Sequence, residues 1–153
     1  MASLDKHYMG LALDLAKAAF VRKEVPVGAV IVVEGQLSGW GFNQRMQYND
    51  VLGHAEIAAI QCANRNLGNW QLRRSTMYVS LEPCLMCAGA ILQARIDRLV
   101  FACRDPKAGA VRSLYACVDD PRLPHRVRVA EGCRADESSA LLREFFENMR
   151  TKK

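Results

Sequence analysis

The chain has 153 residues, 50% of them hydrophobic and 24% charged, which fits one globular domain over residues 1–153 and excludes a disordered or fibrous protein. No apolar run approaches the roughly 18 residues that cross a bilayer, and the first residues lack a secretory pattern, so we expect a cytoplasmic protein without a membrane partner. The net charge of +5 is spread over both halves of the chain, so it permits a polyanionic partner without requiring one.

The first third of the chain predicts a helix followed by a β-hairpin. Apolar residues recur at helical spacing over residues 4–22, and Pro26 prevents the helix from continuing. The β-branched run at 27–33 predicts a strand, and residues 36–42 predict its antiparallel partner after a short turn.

After a polar loop at 43–53, predicted helices and strands alternate. Helices are predicted at 54–65, 84–95, 111–118 and 136–150, and strands at 76–81, 98–103 and 126–130. Strands that alternate with helices of about 10 to 15 residues indicate crossover connections. We therefore expect an α/β protein with three α/β/α layers, whose five-stranded sheet is mostly parallel apart from the antiparallel first hairpin.

Two short motifs place metal-binding residue types at predicted helix starts. They are H-A-E at 54–56 and P-C-L-M-C at 83–87. Cysteines three positions apart lie on one face of a helix, and a helix start favours the thiolate, which is the ligating form. With His54 as a third ligand beside Cys84 and Cys87, zinc keeps its fourth tetrahedral position for water, as catalytic zinc sites do. We therefore predict one Zn²⁺ per subunit.

Glu56 is the predicted proton carrier of this site. Two thiolates cancel the formal charge of Zn²⁺, so water should be less acidic here than at a three-histidine site, where its pKa is roughly 7. A carboxylate is then needed to take the proton and return it to a ring nitrogen and to a departing amine. Because residues two apart diverge in mid-helix, His54 and Glu56 are expected in the first turn. The H-x-E and P-C-x-x-C pattern resembles that of zinc-dependent nucleobase deaminases, which implies hydrolytic deamination.

Other interpretations of these motifs remain open from the residues alone. A C-x-x-C pair also occurs in thioredoxin-like redox proteins, although these do not need an upstream H-x-E. A structural zinc would need a fourth ligand, for which the candidates are Cys62, Cys103, Cys117, Cys133 and His125. A purely structural role in the core is the third alternative, but burying Glu56 without a function would be costly.

The motifs and their surroundings resemble the bacterial tRNA adenosine deaminase family of the cytidine deaminase superfamily. Similar segments lie across nearly the whole chain: EVPVGAVIV at 24–32, HAEI at 54–57, YVSLEPCLMCAGAI at 78–91, RIDRLVFACRDPKAGA at 95–110 and ADESSALLREFF at 135–146. The resemblance implies a cytidine-deaminase-like fold and hydrolytic conversion of the wobble adenosine in a tRNA anticodon stem-loop to inosine. It also implies a homodimer, in which the partner subunit helps to shape the RNA site.

The resemblance implies substrate contacts as well. Asn43 would contact the flipped base, the backbone of Glu82, Pro83 and Cys84 would line the pocket, and Asp105 and Lys107 would lie beside the RNA backbone. Asn43 is also explained as an ordinary turn residue. One of Phe145 and Phe146 is expected to face RNA, beside a phosphate-binding surface formed by Arg104, Lys107, Arg143, Arg150, Lys152 and Lys153.

The chain departs from the family pattern in the loop before the histidine. It reads D-V-L-G at 50–53 where the family commonly has D-P-T-A, and Arg45 adds a cation near the expected RNA path. These differences leave open an altered substrate, including single-stranded DNA. A free-base deaminase acting on guanine or cytosine is the alternative enzyme. A nucleic-acid-binding subunit that keeps zinc only for stability is the alternative from another class, and the presence of Glu56 argues against it.

Overall fold

The computed structural model describes residues 1–151, which form five strands and five helices. In chain order the elements are α1 (Ser3–Val21), β1 (Gly28–Val33), β2 (Gln36–Phe42), α2 (Arg45–Tyr48), α3 (Ala55–Leu67), β3 (Ser75–Leu81), α4 (Leu85–Gln93), β4 (Arg98–Cys103), β5 (Arg128–Glu131) and α5 (Ala135–Thr151). None of these described helices is both long enough and apolar enough to cross a bilayer.

The strands form one sheet in the order β2-β1-β3-β4-β5. β1 is antiparallel to both of its neighbours, whereas β3, β4 and β5 pair in parallel. Four strands therefore run in one direction, which confirms the predicted α/β sheet with its antiparallel first hairpin. The antiparallel pairing of β1 with β3 was not predicted, because alternation along the chain does not specify the order of strands in a sheet.

Helices cover both faces of the sheet. Ala29 and Ile31 of β1 face a core that α3 and α4 complete, whereas Val30 and Val32 face a second core beneath α1. α5 packs beside α1 and contacts β3 and β4. Because neighbouring strand residues point to opposite faces, an apolar run such as that of β1 requires cover on both sides, and the three predicted layers follow.

Two glycines let α3 approach the sheet closely. A Cβ atom at Gly39 would overlap the backbone of α3, and one at Gly41 would lie 2.8 Å from the carbonyl oxygen of Ala55. Since real Cβ atoms do not approach this closely, α3 packs on β2 at a distance that only glycine permits. This contact fixes the start of α3, where His54 and Glu56 lie.

Two segments differ from the sequence prediction. Residues 111–118, predicted as a helix, form turns and irregular backbone: the N–H groups of Leu114 and Cys117 donate to the carbonyl oxygens of Gly109 and Ala110, not to those four residues earlier. The N–H groups of this segment at 111–113 donate to the carboxylate of Glu82. The polar loop at 43–53 contains the short helix α2, whose N–H groups at Met46 and Gln47 are bonded to Glu24. In both cases a carboxylate distant in sequence binds the local backbone.

Candidate active site

His54 and Glu56 lie at the start of α3. His54 is the N-cap residue, with an extended backbone at φ −92° and ψ 149°, and Glu56 is the second residue of the helix. The side-chain oxygen of Asn43 accepts a hydrogen bond of 2.9 Å from the N–H of Ala55. Asn43 therefore caps α3, and both motif residues occupy the first turn, as the sequence predicted.

Cys84 and Cys87 lie at the start of α4, directly after β3. Cys84 is the N-cap residue and Cys87 belongs to the first turn, where it is fully buried. β3 and β4 are parallel, so the segments that follow Leu81 and Cys103 meet at the same edge of the sheet. Sites at this edge are typical of α/β proteins, because loops from neighbouring strands converge there.

The two helix starts bring three metal-ligating atoms together. Nδ1 of His54 lies 3.6 Å from Sγ of Cys84 and 3.5 Å from Sγ of Cys87, and all three atoms lie within 4.8 Å of one another. Ligands at about 2.0 Å (nitrogen) and 2.3 Å (sulfur) from a tetrahedral zinc would be separated by about 3.5 Å. The donor types and their spacing therefore fit zinc.

Within residues 1–151 no fourth histidine, cysteine or carboxylate joins this group. Nε2 of His125 lies 2.7 Å from the carbonyl oxygen of Ile96, and Cys133 is buried in the core beneath α1. Sγ of Cys103 faces the carbonyl oxygen of Ser80 and Oγ of Ser138. The arrangement does not support a structural zinc with four protein ligands.

The cluster redistributes protons between its members. A hydrogen bond from the Cys87 thiol, opposed by burial and aided by His54, lowers the pKa of Cys84 to about 4. The pKa of the Cys87 thiol rises, because this thiol donates a hydrogen bond to Cys84 and because it is buried. The two sulfurs thus share one negative charge, and a divalent cation would allow both to ionise.

Glu56 is the buried carboxyl group beside these ligands, with 4% of its surface exposed. Burial raises the pKa of Glu56, although its own backbone N–H and His54 oppose the shift. Its carboxyl group also contacts the Cys87 thiol. A buried carboxyl group with a raised pKa is suited to exchanging protons nearer neutral pH than an ordinary glutamate.

A pocket of about 200 Å³ opens onto this cluster. It contains six of the predicted residues, namely Asn43, His54, Glu56, Glu82, Cys84 and Asp105. Arg45, expected near the RNA path, lines it too, whereas the sequence prediction missed the remaining lining residues, among them Glu24, Val27 and Ala108. Glu24 lies in the EVPVGAVIV segment that carries the family resemblance, which is the one sequence signal that could have found it.

Glu82 points its carboxylate into the following loop. The carboxylate accepts hydrogen bonds from the N–H groups of Asp105, Val111, Arg112 and Ser113 and from the Ser113 hydroxyl. Burial raises the pKa of Glu82, but these hydrogen bonds outweigh it and hold the pKa at about 2. The side chain therefore anchors the loop. The N–H of Glu82 donates to the carbonyl oxygen of Cys103, which leaves the carbonyl oxygen of Glu82 for the predicted substrate contact.

A larger groove of about 820 Å³ adjoins the pocket and shares Arg45, Met46 and Asp105 with it. Three further predicted residues line this groove: Lys107, Phe146 and Arg150. Arg104 and Arg143 of the predicted basic surface line it as well, whereas Lys152 and Lys153 lie outside the described residues.

The exposure of the side chains bears on two predicted contacts, that of the phenylalanine pair and that of Pro83. Phe146 is 47% exposed and Phe145 only 7%, so Phe146 is the aromatic residue available to a ligand. Pro83 is buried and lines neither cavity; its carbonyl oxygen accepts a hydrogen bond from the N–H of Ala110.

The chain is similar to known deaminases in both sequence and structure. The family model described as MafB19-like deaminase matches residues 4–150. The tRNA-specific adenosine deaminase of Haemophilus influenzae is 42% identical over 153 residues, covering 99% of this chain and 88% of that protein. A solved structure from work on A-to-I editing by tRNA:A34 deaminases at the wobble position of transfer RNA has a TM-score of 0.84 at 44% identity, over 88% of this chain and 98% of that one. A guanine deaminase from Nitrosomonas europaea has a TM-score of 0.76 at 26% identity, over 92% and 83%.

Proposed function

The chain belongs to the tRNA-specific adenosine deaminase family, and from this premise we propose that it hydrolyses the wobble adenosine of a tRNA anticodon loop to inosine. The observation that carries the proposal is the meeting of His54, Cys84 and Cys87 within 4.8 Å, beside the buried carboxyl group of Glu56. An anticodon-loop base is unpaired, so it can be turned out of its stack into a small pocket at low cost.

We propose that His54, Cys84 and Cys87 hold one zinc ion per subunit. The donor set of one imidazole and two thiols, spaced for tetrahedral coordination, supports this assignment. When bound, zinc supplies Lewis-acid activation of water.

Glu56 is the proposed acid and base of the reaction. It accepts a proton from the attacking water and gives it to the ring nitrogen next to the carbon that carries the amino group. A C–O bond forms at that carbon. Glu56 then takes the remaining proton of the new hydroxyl group and delivers it to the amino group, the C–N bond breaks, ammonia leaves and a carbonyl group remains. The burial of Glu56 beside His54 and Cys84 in the same pocket supports this assignment.

The substrate contacts follow from which residues line each cavity. Asn43, the backbone at Glu82 and Asp105 are proposed to contact the adenine, because they border the pocket that opens on Glu56. Lys107, Phe146 and Arg150 are proposed to contact the flanking nucleotides, because they line the adjoining groove. The family resemblance also assigns Pro83 to the pocket. Its side chain is buried, so its contact with the substrate would come from its backbone.

A homodimer in the cytoplasm is part of the proposal. α4 is apolar along its length, yet only Cys87, Ala88 and Ile91 of its residues are buried, and Leu85 is 53% exposed. An apolar helix that is covered on one side favours contact with a second protein surface. Sedimentation of the purified chain at twice the monomer mass is expected, and a monomer at micromolar concentration would contradict this part.

The deciding experiment compares four substrates: a tRNA anticodon stem-loop, its DNA counterpart, free guanine and free cytosine. Conversion of the RNA alone, seen as a mass increase of about one dalton, is expected. Conversion of guanine would support the alternative suggested by the similarity to the Nitrosomonas europaea guanine deaminase. Conversion of the DNA would indicate a changed substrate preference, for which the departures in the loop at 44–53 are the candidate cause. If no substrate is converted, the deaminase assignment is rejected.

A further inference from the structure

Glu24 is a buried carboxylate at the pocket that the proposed reaction does not use. It follows α1 through a turn in which Lys23 has a φ of 62°, and only 2% of its surface is exposed. It lines the pocket, and its two oxygens accept hydrogen bonds from the N–H groups of Met46 (2.9 Å) and Gln47 (2.7 Å). Both acceptors are thus directed at one short segment of backbone.

That segment belongs to residues 44–53, here called the entrance loop. The loop is closed at its base by a hydrogen bond from the N–H of Gln44 to the carbonyl oxygen of Gly53, and it leads directly into His54. No residue of α2 within the loop is buried, and Val51 and Leu52 are exposed as well. Since little apolar burial holds the loop, the hydrogen bonds that its N–H groups donate to Glu24 are its main attachment to the body of the protein.

We propose that Glu24 is a positioning residue that holds the entrance loop as the wall between the pocket and the groove. Arg45 and Met46 line both cavities, so their placement sets the path by which a polynucleotide enters. Two hydrogen bonds to an ionised acceptor fix this backbone more firmly than neutral ones would. The inference rests on the proposed function for its substrate and assigns binding of the nucleotide strand, rather than the chemical step, to Glu24.

Glu24→Gln tests this role with little change of shape. Glutamine keeps one oxygen acceptor but turns an NH₂ group toward the second backbone N–H, so one of the two hydrogen bonds is lost. We expect KM for the anticodon stem-loop to rise about tenfold, with kcat within about twofold of the wild type and full zinc content. We also expect the amides of Met46 and Gln47 to exchange with solvent at least about tenfold faster.

Asp5→Asn is the matched control, because Asp5 is a buried carboxylate that binds Arg98 and Tyr78 at the opposite face of the sheet. It should lower stability without changing KM. Wild-type KM and amide protection in Glu24→Gln would overturn the proposal, as would a fall in kcat alone or a loss of zinc. If the wild-type protein does not deaminate the stem-loop, the proposed function fails, while amide exchange still decides whether Glu24 holds the loop.

Discussion

Glu56 and the three proposed zinc ligands beside it lie at the beginnings of two helices. His54 and Cys84 are N-cap residues with extended backbones, and Glu56 and Cys87 follow within one turn of each helix. Helix starts offer free N–H groups and a favourable field for negative charge, so thiolates are stabilised there. Each of these side chains therefore has a distinct role that a single substitution can test.

Glu56→Gln is expected to abolish deamination while zinc and RNA binding persist. The amide has nearly the same shape, but it cannot accept and return a proton, so kcat should fall by about a hundredfold or more. Single-turnover assays on the anticodon stem-loop, together with metal analysis, measure both quantities. Normal turnover by this variant would contradict the proposed proton transfers.

Cys87→Ala is expected to release zinc and to weaken the contact between α3 and α4. Two helix starts lose their common ligand, and metal binding that contributes to folding is lost with it. The melting temperature should fall by at least about 5 °C. Cys62→Ala is the control, because Cys62 is a partly exposed cysteine outside the cluster. Full zinc occupancy in Cys87→Ala would refute the ligand assignment.

At the scale of elements, α5 connects the core to the groove. Phe145, which is almost fully buried, packs against Phe20 of α1 with a ring separation of 5.8 Å and forms part of the groove wall. Arg143, Phe146 and Arg150 line the same groove. Positions three and seven residues after Arg143 lie on the same face of a helix, so these side chains present one basic and aromatic strip. Such a strip suits a single strand, whose bases stack on aromatic rings and whose phosphates attract arginine.

The double variant Arg143→Ala, Arg150→Ala is expected to weaken binding of the anticodon stem-loop and to reduce its dependence on salt. Each lost phosphate contact on a single strand lowers the slope of log affinity against log salt by about 0.7. The binding constants should be measured between low and moderate salt with catalytically inactive Glu56→Gln protein. Arg122→Ala serves as the control, because Arg122 is exposed and paired with Asp120 away from the groove. An unchanged slope would exclude α5 from the RNA site.

At the scale of the whole molecule, one buried network links the first helix to the centre of the sheet. Asp5 of α1 accepts hydrogen bonds from Arg98 of β4 (2.8 Å) and from the hydroxyl of Tyr78 of β3 (2.9 Å). The hydrogen bond from Arg98 lowers the pKa of Asp5 against the opposing effect of burial. Because α1 covers one face of the sheet, this network contributes to the layered fold rather than to the site.

The Asp5 network predicts a specific dependence of stability on pH. A carboxyl group whose pKa is lowered by folding stabilises the native state above its unfolded pKa of about 3.9, and this contribution is lost as the pH falls through the folded pKa. Asp5→Asn should therefore lower the free energy of unfolding by about 1 to 3 kcal/mol at pH 7. The difference from wild type should shrink below about pH 4. Urea unfolding at both pH values measures it, and a constant difference would contradict the assignment.

The amino-acid sequence by itself predicted all five strands and the meeting of His54, Cys84 and Cys87, and it proposed Glu56 as the proton carrier. These features depend on local rules: cysteines three apart share a helix face, and apolar β-branched runs form buried strands. The first turn of α3 was also predictable, since only there do His54 and Glu56 converge.

Only the tertiary structure determines the conformation of the segments around His54, Cys84 and Cys87. The segment at 111–118, predicted as a helix, forms turns and irregular backbone bonded to Glu82, and the loop before His54 contains α2, whose N–H groups at Met46 and Gln47 are bonded to Glu24. The antiparallel pairing of β1 with β3 also joins segments far apart in sequence. Local patterns cannot specify such features, because the partner of each backbone group comes from a distant part of the chain.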